Sequence, residues 1–301
     1  MKIFAVARVL ACSTVLIPVS AFAQDEFSLE LEAGAIYDSQ LVVDEIDVEQ
    51  AEGDVAFRFG ADVEYQPVDT DSFELEFGYD FGQSVYLDFD EFNLQSHVAD
   101  VNASTRIAGA RVGARYAFSH FRLGGDGLFD MHTVTPSVSG FVADGLFARA
   151  FYTYNDKDFA TLDGRDAKGN QVGASVFKFF SDNAGFVSVS GRWEEEDTVD
   201  PAFDYSGFVV GADLRLPIAG GRDGPRLQFG VDYRDRDYDS ITPSIGAIRT
   251  EDRLRGDVEL TVPISERFSV EVGYRYTDRN SNLPSADYTE NRLNAGILFE
   301  L

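Results

Sequence analysis

Cysteine is almost absent: Cys12 is the one thiol in 301 residues, so no disulfide framework can staple the fold. Long apolar runs are absent too, and no stretch reaches the ~18 residues that a transmembrane helix requires. Any membrane span must then be a closed β-barrel, because lipid offers no partner to an open sheet edge. Positive charge is scarce: 25 Lys and Arg stand against 52 Asp and Glu, a net charge of −27. A nucleic-acid binder shows the opposite balance and is excluded. The excess of acid suits a surface that meets water and divalent cations.

What is present begins with a secretory signal. Lys2 and Arg8 form a positive start, Val9 to Val19 is a short apolar run, and Ala21-Phe22-Ala23 is a small-x-small cleavage site. Residues 1–23 are expected to be removed by cleavage near Ala23 after Sec export, leaving a chain that starts at Gln24. Loss of Lys2 and Arg8, with no acid in that segment, takes −27 to −29. Cys12 follows Ala11, as in a lipoprotein site, but only Val9, Leu10 and Ala11 separate it from Arg8.

From there to Leu301 the sequence alternates with a period of two, which places successive side chains on opposite faces of a strand. The final stretch is the clearest. Phe268, Val270, Val272, Tyr274 and Tyr276 alternate with Ser269, Glu271, Gly273, Arg275 and Thr277, and Leu293 to Leu301 repeats the pattern. Similar strands are Phe27–Tyr37, Val55–Tyr65 and Phe73–Gly82. A loop from Val85 to Val98 leads to a strand ending at Phe118. Ser119-His120 then turns into a short strand from Phe121, and His132–Val142 and Leu146–Tyr154 follow. Gln171–Phe180 has two partly apolar faces, so its facing stays open. Phe186–Trp193, Tyr205–Leu216, Arg226–Tyr233 and Arg253–Val262 complete the set. The tally is fourteen strands, with six short turns and seven longer connections in strict alternation, and both chain ends on the turn side.

A soluble β-sandwich or lipocalin-like barrel also alternates, with its apolar side inward. Two features favour lipid outside. The apolar faces end in Tyr37, Tyr65, Tyr154, Trp193, Tyr233 and Tyr276, as an aromatic girdle requires. The opposite faces carry many arginines beside acids. Residues 24–301 are therefore expected to form an all-β, transmembrane, antiparallel up-and-down barrel of about fourteen strands in the bacterial outer membrane.

Tyr274 to Arg292 (YRYTDRNSNLPSADYTENR) and Val231 to Arg253 (VDYRDRDYDSITPSIGAIRTEDR) resemble the barrel of surface lipoprotein assembly modifiers. The resemblance runs from about Val172 onward. It implies a fourteen-stranded barrel and a role in moving lipoproteins to the cell surface. Two departures stand beside it. The expected first strand follows the cleavage site with no room for the family's periplasmic helical repeats, and the chain ends in Leu301 rather than Phe.

The inward faces hold the candidate functional residues. Acids dominate the first strands (Glu30, Glu32, Asp62, Glu64, Glu74, Glu76 and Asp80, with Arg58 among them). Arginines dominate the next (Arg111, Arg115, Arg122, Arg149, Arg192). Later strands mix Asp213, Arg215, Asp232, Arg234, Arg253, Arg255, Asp257, Glu259, Glu271, Arg275 and Arg292. These form either a polar lumen that selects solutes or cross-strand ion pairs that fill and stiffen a narrow barrel. Inward-folded loops could close such a pore, with Val85–Val98 and Asn155–Asn170 as candidates. Catalysis is not expected. Ser96–His97 and Ser119–His120 are sequence neighbours on strands and point oppositely, and His132 lacks an orienting context. Asp156, Asp158, Asp163 and Asp166 do not match a calcium loop, so no metal or cofactor is assigned. The expected function is a channel or export conduit, the alternatives being a translocation factor for surface lipoproteins and a structural barrel with a plugged lumen. Its expected partners are membrane lipid, lipopolysaccharide, the barrel-assembly machinery, and a small solute or exported polypeptide.

Overall fold

A computed structural model describes residues 26–301; the expected signal segment, residues 1–23, lies outside the described residues. The strands are β1 (Phe27–Asp38), β2 (Leu41–Val43), β3 (Val48–Gln50), β4 (Asp54–Asp69), β5 (Phe73–Tyr86), β6 (Leu94–Ile107), β7 (Ala110–Leu123) and β8 (Asp126–Ala143). They continue with β9 (Leu146–Phe159), β10 (Ala167–Phe180), β11 (Gly185–Thr198), β12 (Tyr205–Pro217), β13 (Arg226–Thr242), β14 (Ala247–Pro263), β15 (Phe268–Ser281) and β16 (Tyr288–Glu300). All but β2 and β3 join one closed antiparallel barrel of fourteen strands, in which β1 pairs with both β4 and β16. Closure leaves no free strand edge, and each barrel strand pairs on both sides. Fourteen strands about 4.8 Å apart and tilted by ~40° give a backbone diameter of roughly 28 Å.

Alternation explains the two surfaces. Phe57, Phe59, Val172, Trp193, Val231, Val272 and Ile297 are all exposed on the outside. Their neighbours Arg58, Arg192, Glu271 and Arg275 turn inward and are buried or nearly so. The interior also has apolar patches. Phe147, Phe177, Phe179 and Phe186 form one near the turn rim. The two buried phenylalanines of β10 are the reason its two faces look alike in sequence.

The count of fourteen is right, but it was reached through two errors that cancel. β6 is a full strand where a loop was expected, and Phe121 begins no strand of its own. Instead β7 runs through Ser119-His120 to Leu123. The outward face of β6 is Gln95, His97, Ala99, Val101, Ala103 and Thr105, too weakly apolar to give a period-two signal. Its turn, Ala108-Gly109, has both residues at positive φ (51° and 87°) but lacks the Asn or Asp that usually marks it. The rims are also less uniform than expected: the loop side includes the two-residue turn Gly124-Gly125, and the opposite rim includes the longer connection 218–225.

Candidate functional site: a loop bound across the barrel interior

The long connection 39–53 folds inward. This corrects the expectation for Val85–Val98 and Asn155–Asn170, which instead supply parts of its binding site. The segment is a small hairpin, β2 and β3, joined by a 3₁₀ turn at Asp44–Ile46. One side is apolar. Leu41 and Val43 are buried against Phe92, Phe121, Leu128, Phe129, Met131 and Phe159, most of them on β7 to β9. The other side is acidic and meets β14 to β16. Asp44 accepts hydrogen bonds from Arg279 (2.8 Å), Arg253 (3.2 Å) and Tyr288 (2.7 Å). Asp47 accepts from Arg249 (2.8 and 3.0 Å), from Arg279 (3.4 Å) and from Arg165 (2.7 Å). Arg165, from the β9–β10 connection, also donates to the Glu45 carbonyl at 2.8 Å.

A loop with one greasy and one charged side can thus bridge two chemically different walls. A barrel this wide needs such a bridge, because side chains from opposite walls do not meet across it. Two backbone details set the loop's path. Asp47 is left-handed (φ 53°), a region that Asp tolerates better than most residues, and it caps the 3₁₀ turn. At Gly53, where the chain re-enters the wall, a Cβ would lie 2.6 Å from the Asp38 carbonyl.

Behind the loop the arginines form a continuous network. Glu251 accepts from Arg249 (2.6 Å), Arg279 (2.7 Å) and Arg234 (3.0 Å). Glu194 binds Arg236 (2.8 Å) and Arg192 (3.2 Å), and Lys157 pairs with Glu196 at 3.1 Å. Arg236 and Arg249 stack on Tyr205 and Tyr238, at 4.0 and 4.5 Å. A cavity of about 50 Å³ lies between loop and network. Buried charges are tolerated only when paired and hydrogen-bonded; these arginines meet that condition through their terminal nitrogens, while the Nε atoms of Arg234, Arg249, Arg253 and Arg279 stay buried without a partner among the described residues.

The loop's own acids respond differently. Burial alone would raise the Asp44 pKa, but Arg279, Arg253 and Arg234, with the Tyr288 hydroxyl, outweigh it and hold Asp44 well below the ordinary carboxylate range. At Asp47 burial is likewise outweighed, here by Arg249 and Arg165, and the pKa is lowered. Glu45 goes the other way, raised by burial and by neighbouring Asp44.

The expected inward residues divide by height. Near the loop rim, Arg234, Arg253 and Arg192 belong to the network. Arg292 pairs with Asp38, and Asp232 accepts from Arg253 at 3.4 Å. Arg255 and Arg275 are buried just below them. Toward the turn rim lie Glu30, Glu32, Asp62, Glu64, Glu76, Asp80, Asp257, Glu259 and Glu271, where Arg58 pairs with Glu32. On the remaining wall Arg111 pairs with Glu74, Arg115 pairs with Asp100 (2.8 Å), and Arg149 lies 5.5 Å from the Phe151 ring. Asp213 accepts from Ser188, and Arg215 donates to Gln228. Arg122 contradicts expectation: β7 continues unbroken, so Arg122 shares the outward face with His120 and Phe118. Sequence reasoning missed Asp44, Asp47, Arg165, Arg236, Arg249, Glu251 and Arg279. The last four keep the phase of Arg234, Arg253 and Arg275, and extending those strands by one or two rungs would have found them.

A closed sheet, apolar outside and polar inside, with a loop folded into it, defines an outer-membrane β-barrel fold. Comparison with solved structures agrees. The anion-selective porin from Comamonas acidovorans aligns with a TM-score of 0.53 at 9% identity, over 91% of this chain and 98% of that one. OmpT of Vibrio cholerae aligns with a TM-score of 0.53 at 13% identity, over 93% and 99%. At such identities the likeness concerns the fold alone. No family model and no curated protein matches the sequence.

Proposed function

We propose that the chain is an outer-membrane channel for small charged solutes, with loop 39–53 as its constriction. One observation carries this reading: an acidic loop lies against an arginine wall partway along a polar barrel interior. The paired carboxylates and guanidiniums give the constriction a polar, charged lining, which favours charged and dipolar solutes and rejects apolar ones. The interior charges toward the turn rim serve as a second, mainly acidic zone. The reading includes insertion by the barrel-assembly machinery and assigns no catalytic step, cofactor or nucleic-acid partner.

Lipoprotein translocation, implied by the sequence resemblance, requires a path for a polypeptide. A loop held on both walls favours small solutes over such a conduit. Conductance in planar bilayers tests the reading. Discrete single-channel steps from the folded barrel are expected, and a correctly folded but silent barrel would reject it.

A further inference from the structure

One guanidinium of the arginine wall has no acceptor. Arg255 of β14 faces the interior one rung below Arg253, is 6% exposed, and makes no hydrogen bond among the described residues. Asp232, directly opposite on β13, accepts from Arg253 instead (3.4 Å). Directly opposite on β15 is Thr277, 1% exposed, whose hydroxyl is likewise unpartnered among the described residues. Glu290, on the far side of Thr277, accepts from Arg292 (3.2 Å). Two donors thus stand side by side in the wall with no oxygen to bond, which is costly for buried groups.

The rung above shows what kind of ligand these arginines take. Asp44 of the loop sits between Arg279 (2.8 Å) and Arg253 (3.2 Å), so a carboxylate of the chain itself is the resident acceptor. Residues two apart on a strand stand about 6.7 Å apart. Arg253 and Arg255 therefore present two guanidiniums at roughly the span of a short dicarboxylate. The planar fork of arginine matches a carboxylate at two points, which favours this class over a halide. Arg253 and Arg279 would exchange one carboxylate for another, while Arg255 and Thr277 would gain an acceptor. Asp47 would stay tied to Arg249 and Arg165, so the loop loosens at one of its two acidic anchors.

We propose that Arg253, Arg279, Arg255 and Thr277 form a binding site for a short dicarboxylate solute. One of its carboxylates displaces Asp44 from Arg253 and Arg279, and the other bonds Arg255 and the Thr277 hydroxyl. The inference rests on the channel reading above and names its solute class. The loop acid acts as a competitor built into the chain, and the solute that replaces it weakens the constriction as it binds.

The test is isothermal titration calorimetry of the detergent-folded barrel with glutarate. Asp44→Asn removes the competitor and should tighten binding about tenfold, whereas Arg255→Gln, which bonds nothing in the loop, should weaken it about tenfold. Glu49→Gln removes a loop charge that lies elsewhere, against Gln40 (2.9 Å), and should leave affinity unchanged. Acetate and oxalate at matched ionic strength, too short to span the two guanidiniums, should bind about tenfold more weakly than glutarate. Heat-modifiable electrophoresis checks folding of each variant. Absence of glutarate binding to folded Asp44→Asn would overturn the proposal. So would an equal gain in Glu49→Gln, undiminished binding in Arg255→Gln, or tighter binding of inorganic phosphate than of glutarate. A barrel silent in bilayers that binds glutarate in this pattern would fail the channel reading and leave this site standing. A conducting barrel that binds no dicarboxylate would do the reverse.

Discussion

Asp47 concentrates the chemistry of the constriction in one side chain, since Arg165, Arg249 and Arg279 all donate to it. Asp47→Asn preserves a side chain that tolerates the left-handed backbone but removes the charge. Breaking one partner of a buried pair costs about 3–5 kcal/mol. The variant barrel should therefore unfold at lower denaturant and show more frequent open-state flicker in single-channel records. Acid should act in the same direction. The pKa values of Asp44 and Asp47 are lowered on docking, so their contribution is complete above the ordinary carboxylate range and is lost as pH falls toward the depressed values. Glu45 is raised, so its ionisation opposes docking as pH climbs above its ordinary value of 4.5. Conductance should stay low from pH 7 down to the ordinary Asp value of 3.8 and rise only below it, as the loop lets go. A rise already complete above that value would show that these acids do not hold it.

At the scale of the element, the hairpin β2–β3 is too small to be stable alone. It persists because Leu41 and Val43 bury on one wall and Asp44 and Asp47 pair on the other. Replacing Leu41–Gln50 with a short glycine linker removes the bridge without touching any barrel strand. Single-channel conductance should increase several-fold while heat-modifiable migration is kept; unchanged conductance would place the constriction elsewhere. The apolar anchor has its own signature. Leu41→Ala leaves every ion pair in place, yet should cost about 2–5 kcal/mol through the cavity it opens and destabilise the loop as Asp47→Asn does.

For the whole molecule, the barrel keeps apolar side chains outside and charges inside, the reverse of a soluble protein. Phe59, exposed on β4, and Arg58, buried beside it, show the contrast within one dipeptide. Phe59→Arg should destabilise folding into bilayers by about 2–4 kcal/mol if the position lies near the midplane, measured as a shift in the denaturant midpoint of vesicle-embedded protein. In a water-soluble barrel the same change would be nearly neutral, so the comparison tests which medium the outside meets.

The period-two pattern and the lack of any helix-length apolar run were enough to give an all-β closed barrel, while the strand number matched only because the missed β6 offset a strand wrongly begun at Phe121. Alternation is a local property that survives without knowledge of neighbours, and strands such as Phe27–Asp38 and Phe268–Ser281 carry it strongly. β6 carries it weakly, because its outward face is mostly small or polar, and its place emerged only from pairing with β5 and β7. Loop 39–53 reads in sequence as an acidic connection like several others. That it turns inward depends on a greasy patch from β7 to β9 and an arginine wall from β14 to β16. Those residues lie up to 244 positions away along the chain, and only closure of the barrel brings them to face each other.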